Sequence, residues 1–215
     1  MAVHQCARFC IEPKITHERA VMRIGKYLLH TRDKGLKFYP NKTKGIECFT
    51  DADFAGSWDK ADAENPENVL SRTGYIIFYC GCPVQWCSKL QTEIALSTAE
   101  AEYIALSQAT REIIPFINLL KELKEYMNLD LNGSQMFCKI HEDNTSCITI
   151  AESKRFTPRT KHISLKYHWF RSFLSGPNKL LEMKHVPTKE QIADIFTKPL
   201  DESLFLYLRK KCNGW

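Results

Sequence analysis

Three acidic residues stand out in this sequence by position alone. Asp51 closes an expected strand in the string Thr50-Asp51-Ala52-Asp53, and Asp143 closes a later one in His141-Glu142-Asp143-Asn144. In sheets with parallel neighbours, ligand sites gather at strand C-termini. Asp143 also has a plainer use, as the cap of the helix that follows it. Glu102 is more telling. On a helix beginning near Thr98 it shares one face with Ala105, Leu106, Ala109 and Ile113, so a carboxylate interrupts an apolar stripe. Burying it unpaired would cost several kcal/mol. Either a basic side chain or a metal ion has to compensate it. Glu100, on the face of Tyr103, Ser107 and Arg111, is expected to reach water. A fourth acid, Asp194, lies in a short helical stretch between Ile192 and Ile195, and by itself it reads as a surface residue.

If the four converge, their mutual repulsion calls for cations. Magnesium suits such a site because it takes carboxylate and phosphate oxygens, and manganese accepts the same ligands. Two ions about 4 Å apart would clamp a scissile phosphate, one activating water and one stabilising the leaving oxygen. A basic segment is available to hold a polyanion. Between Glu152 and Glu182 there is no acid, but there are Lys154, Arg155, Arg159, Lys161, Lys166, Arg171 and Lys179. Such a run is either a solvated face or a phosphate-binding one. The roles of His162 and His168, within the same run, stay open between packing and substrate contact.

The elements that must position these residues follow from periodicity. His17–Arg32 has the helical stripe Ala20, Val21, Ile24, Tyr27 and Leu28, ended near Gly35, and Gly35–Tyr39 can form a short strand. Strands are expected at Gly45–Asp51, Gly74–Tyr79 and Val84–Ser88, forming an antiparallel meander. Ser97 with Glu100 makes a capping box for a helix to about Glu112, and Pro115 suits the first turn of a second helix to Tyr126. Further strands are expected at Met136–Glu142 and Leu180–Val186. Further helices are expected at Asn144–Ala151, at Ile163–Phe173, and from Thr188, capped with Gln191, to Thr197. The result is an α/β fold, a mixed sheet flanked by helices. Residues 1–42 read as an appendage, 43–200 as the main domain and 201–215 as a helical tail. Residues 61–68 read as an exposed acidic loop.

Composition sets outer limits. The 215 residues are 44% hydrophobic and 26% charged, a globular balance, and the net charge of +5 permits a polyanionic partner without requiring one. Nine cysteines, an odd number without a Cys-x-x-Cys pair, read as reduced thiols in an intracellular protein and not as a zinc module. No apolar run approaches the roughly 18 residues that span a bilayer, so no membrane partner is expected.

Four strings go further than spacing. Residues 50–56 (TDADFAG), 96–106 (LSTAEAEYIAL), 159–163 (RTKHI) and 191–200 (QIADIFTKPL) resemble, in order, the RNase H region of Ty1/copia-type retrotransposon polyproteins. Residues 1–42 resemble the segment that connects reverse transcriptase to RNase H in these elements. The resemblance implies an RNase H-like fold, with an antiparallel meander followed by parallel strands. It also implies a two-metal site on Asp51, Glu102, Asp143 and Asp194 that cleaves the RNA strand of RNA–DNA hybrids during reverse transcription. The first aspartate is Asp51 and not Asp53. The partners implied are the hybrid and the reverse transcriptase portion of the polyprotein, in a cytoplasmic particle or the nucleus. Two departures stand out. Where the family usually has Ser-Thr-Glu before Ala-Glu-Tyr, this sequence has Ser97-Thr98-Ala99-Glu100, and Glu100 still fills the acidic position. The loop Pro187-Thr188-Lys189-Glu190 lacks the histidine that aids product release in cellular RNases H, and His185 precedes that loop, within a strand. Polymerase, zinc-knuckle and integrase signatures are missing, so the chain is expected to be a fragment, a processed piece or a relic gene. A relic that keeps the fold as a binding module is the competing reading.

Overall fold

A computed structural model describes residues 1–56, 58, 60, 68–129, 131, 136–153, 163 and 167–215. The expected acidic loop and the basic residues Lys154, Arg155, Arg159, Lys161 and Lys166, with His162, lie outside the described residues, apart from Asn68 at the loop's end. After α1 (Ala2–Ala7) and α2 (Ile15–His30) come β1 (Ile46–Asp53), β2 (Arg72–Tyr79), β3 (Cys82–Leu90), α3 (Thr98–Met127), β4 (Cys138–Glu142), α4 (Thr145–Glu152), β5 (Leu181–His185), α5 (Asp194–Thr197) and α6 (Glu202–Asn213). The sheet order is β3-β2-β1-β4-β5. The first three strands pair antiparallel, and β4 and β5 add in parallel. This is the meander-then-parallel architecture expected of an RNase H-like fold.

The meander forms because β2 is apolar and β-branched or aromatic along both faces, and both faces are covered. Tyr75 and Ile77 join the larger core with α3, while Ile76 and Phe78 join a smaller one with Ile192 and Leu208. Cys80 and Gly81, with φ of 51° and 79°, make the two-residue hairpin turn to β3. Pro83 lies within β3, where the sequence placed the start only at Val84. The strand is at the sheet edge, where a missing N–H is tolerated.

The two expected helices around Pro115 are one. α3 runs 30 residues, with Ile113 and Ile117 both fully buried against the sheet, so packing on either side of the proline overrides its tendency to break the helix. Gly35–Tyr39 forms no strand. Its Lys37 amide donates to the Asn213 carbonyl at the end of α6 (3.0 Å), so the segment follows the C-terminal helix and not the sheet. The expected helix Ile163–Phe173 is, over its described part, a short 3-10 turn at Trp169–Phe173. The helical stripe of α2 is present but its Val21, Tyr27 and Leu28 are exposed, and the helix has no buried residue. All nine cysteines are free thiols. Among the described residues no helix is long and apolar enough to cross a membrane.

Candidate active site

β1 carries Asp51 at the centre of the sheet, and its parallel neighbour β4 delivers Asp143 one residue past its own end. The first turns of α3 bring Glu102 to the same edge. Carboxylate oxygens of Asp51, Glu102 and Asp143 lie within 4.8 Å of one another. The capping alternative for Asp143 falls to its neighbour: Asn144 is the N-cap of α4 and its side chain accepts from the Cys147 amide (3.0 Å). Glu102 is buried to 4% exposure amid the apolar stripe that periodicity placed it in. Its carboxylate accepts from the Ala52 amide, and its other oxygen, Oε2, is buried with no hydrogen-bond partner among the described residues. Burial first, then the charges of Glu142, Asp51 and Asp143, hold Glu102 well above the usual carboxylate range.

Asp194 is not the surface acid its local sequence suggests. It is 1% exposed, at the start of α5, which lies against β2 and β1. The close approach depends on Gly74, which is in register with Asp51 on the neighbouring strand. A β-carbon at Gly74 would fall 2.5 Å from Thr197 Cγ2 and 2.9 Å from Phe196 Cβ. Across this gap the Thr197 hydroxyl donates to Asp51. Lys198, one helical turn beyond Asp194, places its ammonium 2.9 Å from Asp194 Oδ1 and 3.7 Å from Asp51 Oδ1. Burial and the Asp51 charge still push Asp194 up to about 7, against the pull of Lys198. Gln191 anchors the loop before α5: its Nε2 donates to the Thr50 carbonyl (2.9 Å), and its Oε1 accepts from the Ala193 amide (3.3 Å).

Sequence reasoning missed several members of this group. Glu142 is fully buried, and burial with the Asp143 and Asp51 charges raises its carboxyl, opposed by the Asn144 amide that donates to it (3.1 Å). Strand alternation carried the signal, since Glu142 shares its face with buried Cys138 and Ile140. Lys198 was signalled by its spacing of four from Asp194. Glu100, expected to reach water, is buried and its Oε2 accepts from the Leu96 amide (2.8 Å), while its own amide donates to Ser97 Oγ (3.2 Å). The N-terminal cap of α3 consumes it. Asp53, on the same strand face as Asp51, stays half-buried and outside the three-carboxylate group.

Of the expected phosphate-binding residues, Arg171 is described. Its Nε donates to the Tyr103 hydroxyl (3.0 Å) and its other nitrogen to the Ile150 carbonyl, with the guanidinium 5.8 Å from the Tyr103 ring centre. His168 is buried and meets the same hydroxyl through Nδ1 (2.8 Å). Both belong to the packing of the 3-10 turn onto α3. A cleft of about 760 Å³ opens beside the acids, lined among others by Arg8, Lys14, Asp53, Arg72 and Thr197.

The ligand atoms that Asp51, Glu102 and Asp143 bring together are all carboxylate oxygens, which suits magnesium or manganese and not a soft metal. The orphaned oxygen of Glu102 fits the same conclusion, because a cation would give it the partner that the protein does not.

No family model matches the chain. Among curated proteins it is 34% identical over 208 residues to the Retrovirus-related Pol polyprotein from transposon TNT 1-94 of Nicotiana tabacum, an alignment covering 95% of this chain and 14% of the relative. It is 30% identical over 210 residues to that from transposon RE2 of Arabidopsis thaliana, covering 98% of this chain and 13% of the relative. Its homologues, aligned over 95% and 98% of the chain, are thus Ty1/copia-type retrotransposon Pol polyproteins. It spans about one-seventh of the length of these relatives. Among solved structures, an RNase H1 isolated from compost aligns with 18% identity and a TM-score of 0.46, covering 72% of this chain and 93% of that one.

Proposed function

We propose that this segment of a Ty1/copia-type Pol polyprotein is an endoribonuclease that hydrolyses the RNA strand of RNA–DNA hybrids during reverse transcription. The observation that carries the reading is the convergence of Asp51, Glu102 and Asp143 within 4.8 Å, with Asp194 joined to Asp51 through Thr197 and Lys198. Four buried or half-buried acids at one sheet edge have no structural use that fewer would not serve, and their repulsion weakens the fold unless cations enter.

Asp51, Glu102, Asp143 and Asp194 would hold two magnesium ions, or manganese in their place. Bound there, the ions supply an activated water and stabilise the leaving oxygen of a phosphodiester. The protein's own part is orientation. Gln191 and Gly74 fix the distance between α5 and β1. The Ala52 amide aims Glu102, and the Asn144 cap leaves Asp143 unengaged by the helix behind it. Lys154, Arg155, Arg159, Lys161 and Lys166 are proposed to bind the hybrid's phosphates, and the 2′-hydroxyls of one strand would distinguish RNA. Arg171 fits this less well, because its guanidinium is engaged with Tyr103 and Ile150. Its proposed role is to fix one end of the basic segment. The exposed stripe of α2 supports the reverse transcriptase portion of the polyprotein as a partner.

The test is incubation of the full chain with a labelled RNA–DNA hybrid and Mg²⁺ or Mn²⁺, beside Asp143→Asn. Metal-dependent loss of the RNA strand, absent in the variant and absent on double-stranded DNA, is the expected result. A folded chain that binds hybrid without cutting it would instead identify a relic acting as a binding module.

A further inference from the structure

Asp51 has two sides, and they differ in charge. Toward Glu102 and Asp143 the charges acting on Glu102 are all acidic, and its Oε2 is buried without a partner. Toward Asp194 the two carboxylates are within hydrogen-bonding reach of each other and already share a cation, the Lys198 ammonium, 2.9 Å from Asp194 Oδ1 and 3.7 Å from Asp51 Oδ1. A divalent ion shared by Asp51 and Asp194 would draw on the same two carboxylates. The ammonium and the ion cannot both have them, since they would repel each other within a few ångströms in a poorly hydrated site.

We propose that Lys198 is a built-in counter-ion that holds the Asp51–Asp194 side of the site together and has to leave before a second divalent ion enters, so that cation loading is ordered. The proposal rests on the two-ion reading above. The first ion enters the pocket of Asp51, Glu102 and Asp143, which the ammonium borders only at Asp51, at the longer of its two distances. The second enters only when Lys198 swings out. The exit is open to it: its side chain is 32% exposed while Asp51 and Asp194 are 2% and 1% exposed, and a lysine's four-carbon stem rotates without moving the backbone. A substrate phosphate at the site would offer the displaced ammonium a new anionic partner, which ties entry of the second ion to arrival of the nucleic acid.

The experiment is Mn²⁺ titration of the full chain, read by the electron paramagnetic resonance of free Mn²⁺, for the parent, Lys198→Met and Lys198→Arg. The parent is expected to bind one ion and then a second at least about tenfold more weakly, the spacing of roughly one charge pair in a half-buried site. Lys198→Met should tighten the second step about tenfold and leave the first unchanged, while Lys198→Arg keeps the parent's gap. Thermal unfolding in chelator checks folding: Lys198→Met should melt below the parent and recover when Mn²⁺ is added. An unchanged or weakened second step in Lys198→Met, or the same tightening in Lys198→Arg, would overturn the counter-ion role while leaving the two-ion reading standing. A folded parent that binds no Mn²⁺ would remove the two-ion reading itself, and this inference with it.

Discussion

Glu102 and Asp194 are both buried acids facing Asp51, and the protein treats them in opposite ways. Glu102 comes from the first turns of a 30-residue helix packed on the main core, and its surroundings are other carboxylates and one backbone amide. Asp194 comes from a helix of four residues on the opposite face of the sheet, and a lysine and a threonine of that same helix end accompany it to Asp51. The rigid side tolerates an uncompensated acid because a large core, centred on Ile104, Leu106, Ile113 and Ile117, holds it in place. The thin side, whose core is Ile76, Phe78, Ile192 and Leu208, carries its own compensation. Acids can thus be held together by packing or by pairing, and this site uses one method on each side of a shared aspartate.

The contrast can be broken first at Glu102. Glu102→Gln should reduce hybrid cleavage by about 10²–10³-fold or more, the scale on which a group that stabilises developing charge is lost. In chelator the same variant should melt higher than the parent, because it removes a charge that burial disfavours. A lower melting temperature would mean that Glu102 is compensated after all. Next is Gly74→Ala, which forces a methyl against Thr197 and Phe196 and should destabilise by about 1–3 kcal/mol in urea unfolding. Its cleavage should fall by more than its folded fraction does, because α5 carries Asp194 away from Asp51.

A smaller effect is expected in pH dependence. Asp194 has its folded pKa raised from 3.8 to about 7, so the folded state holds the proton more tightly than the unfolded chain. Its contribution to stability is therefore fully present below pH 3.8 and is lost as pH rises through about 7. In chelator, the parent's melting temperature should fall over that window relative to Asp194→Asn, and Mn²⁺ should shrink the difference. Identical slopes for the two proteins would show that Lys198 already neutralises Asp194 fully, which would make the thin side's compensation complete.

Periodicity alone located Glu102 and the two strand-end aspartates, because those signals are local: a face of a helix, the end of a strand. The β-hairpin and the limits of α2 and α4 to within two residues were legible for the same reason, whereas the parallel addition of β4 and β5 came from the resemblance and the expected helix Thr188–Thr197 is a 3-10 turn at Thr188–Glu190 followed by α5. Asp194 was not, since its burial comes from docking against Gly74, a residue 120 positions earlier, and nothing near it in sequence reports that; the resemblance to the polyproteins supplied it. Glu142 was legible by alternation and was passed over because the aspartate beside it drew the chemistry. The continuity of α3 through Pro115 and the absence of a strand at Gly35–Tyr39 both depend on tertiary contacts that outweigh local preference.

The link between Thr197 and Asp51 spans 146 residues. Its consequence is one of timing. During synthesis β1 emerges early and can pair with β2 and β3 at once, whereas α5 is made after every strand of the sheet. Contacts of such long separation form late in folding, after the loops they close have been ordered. The nascent chain therefore passes through a stage with the sheet built and one wall of the acid pocket missing. Any catalytic competence arrives with the final docking of residues 191–198, and a chain stopped short of them would keep most of its architecture and none of its second aspartate pair.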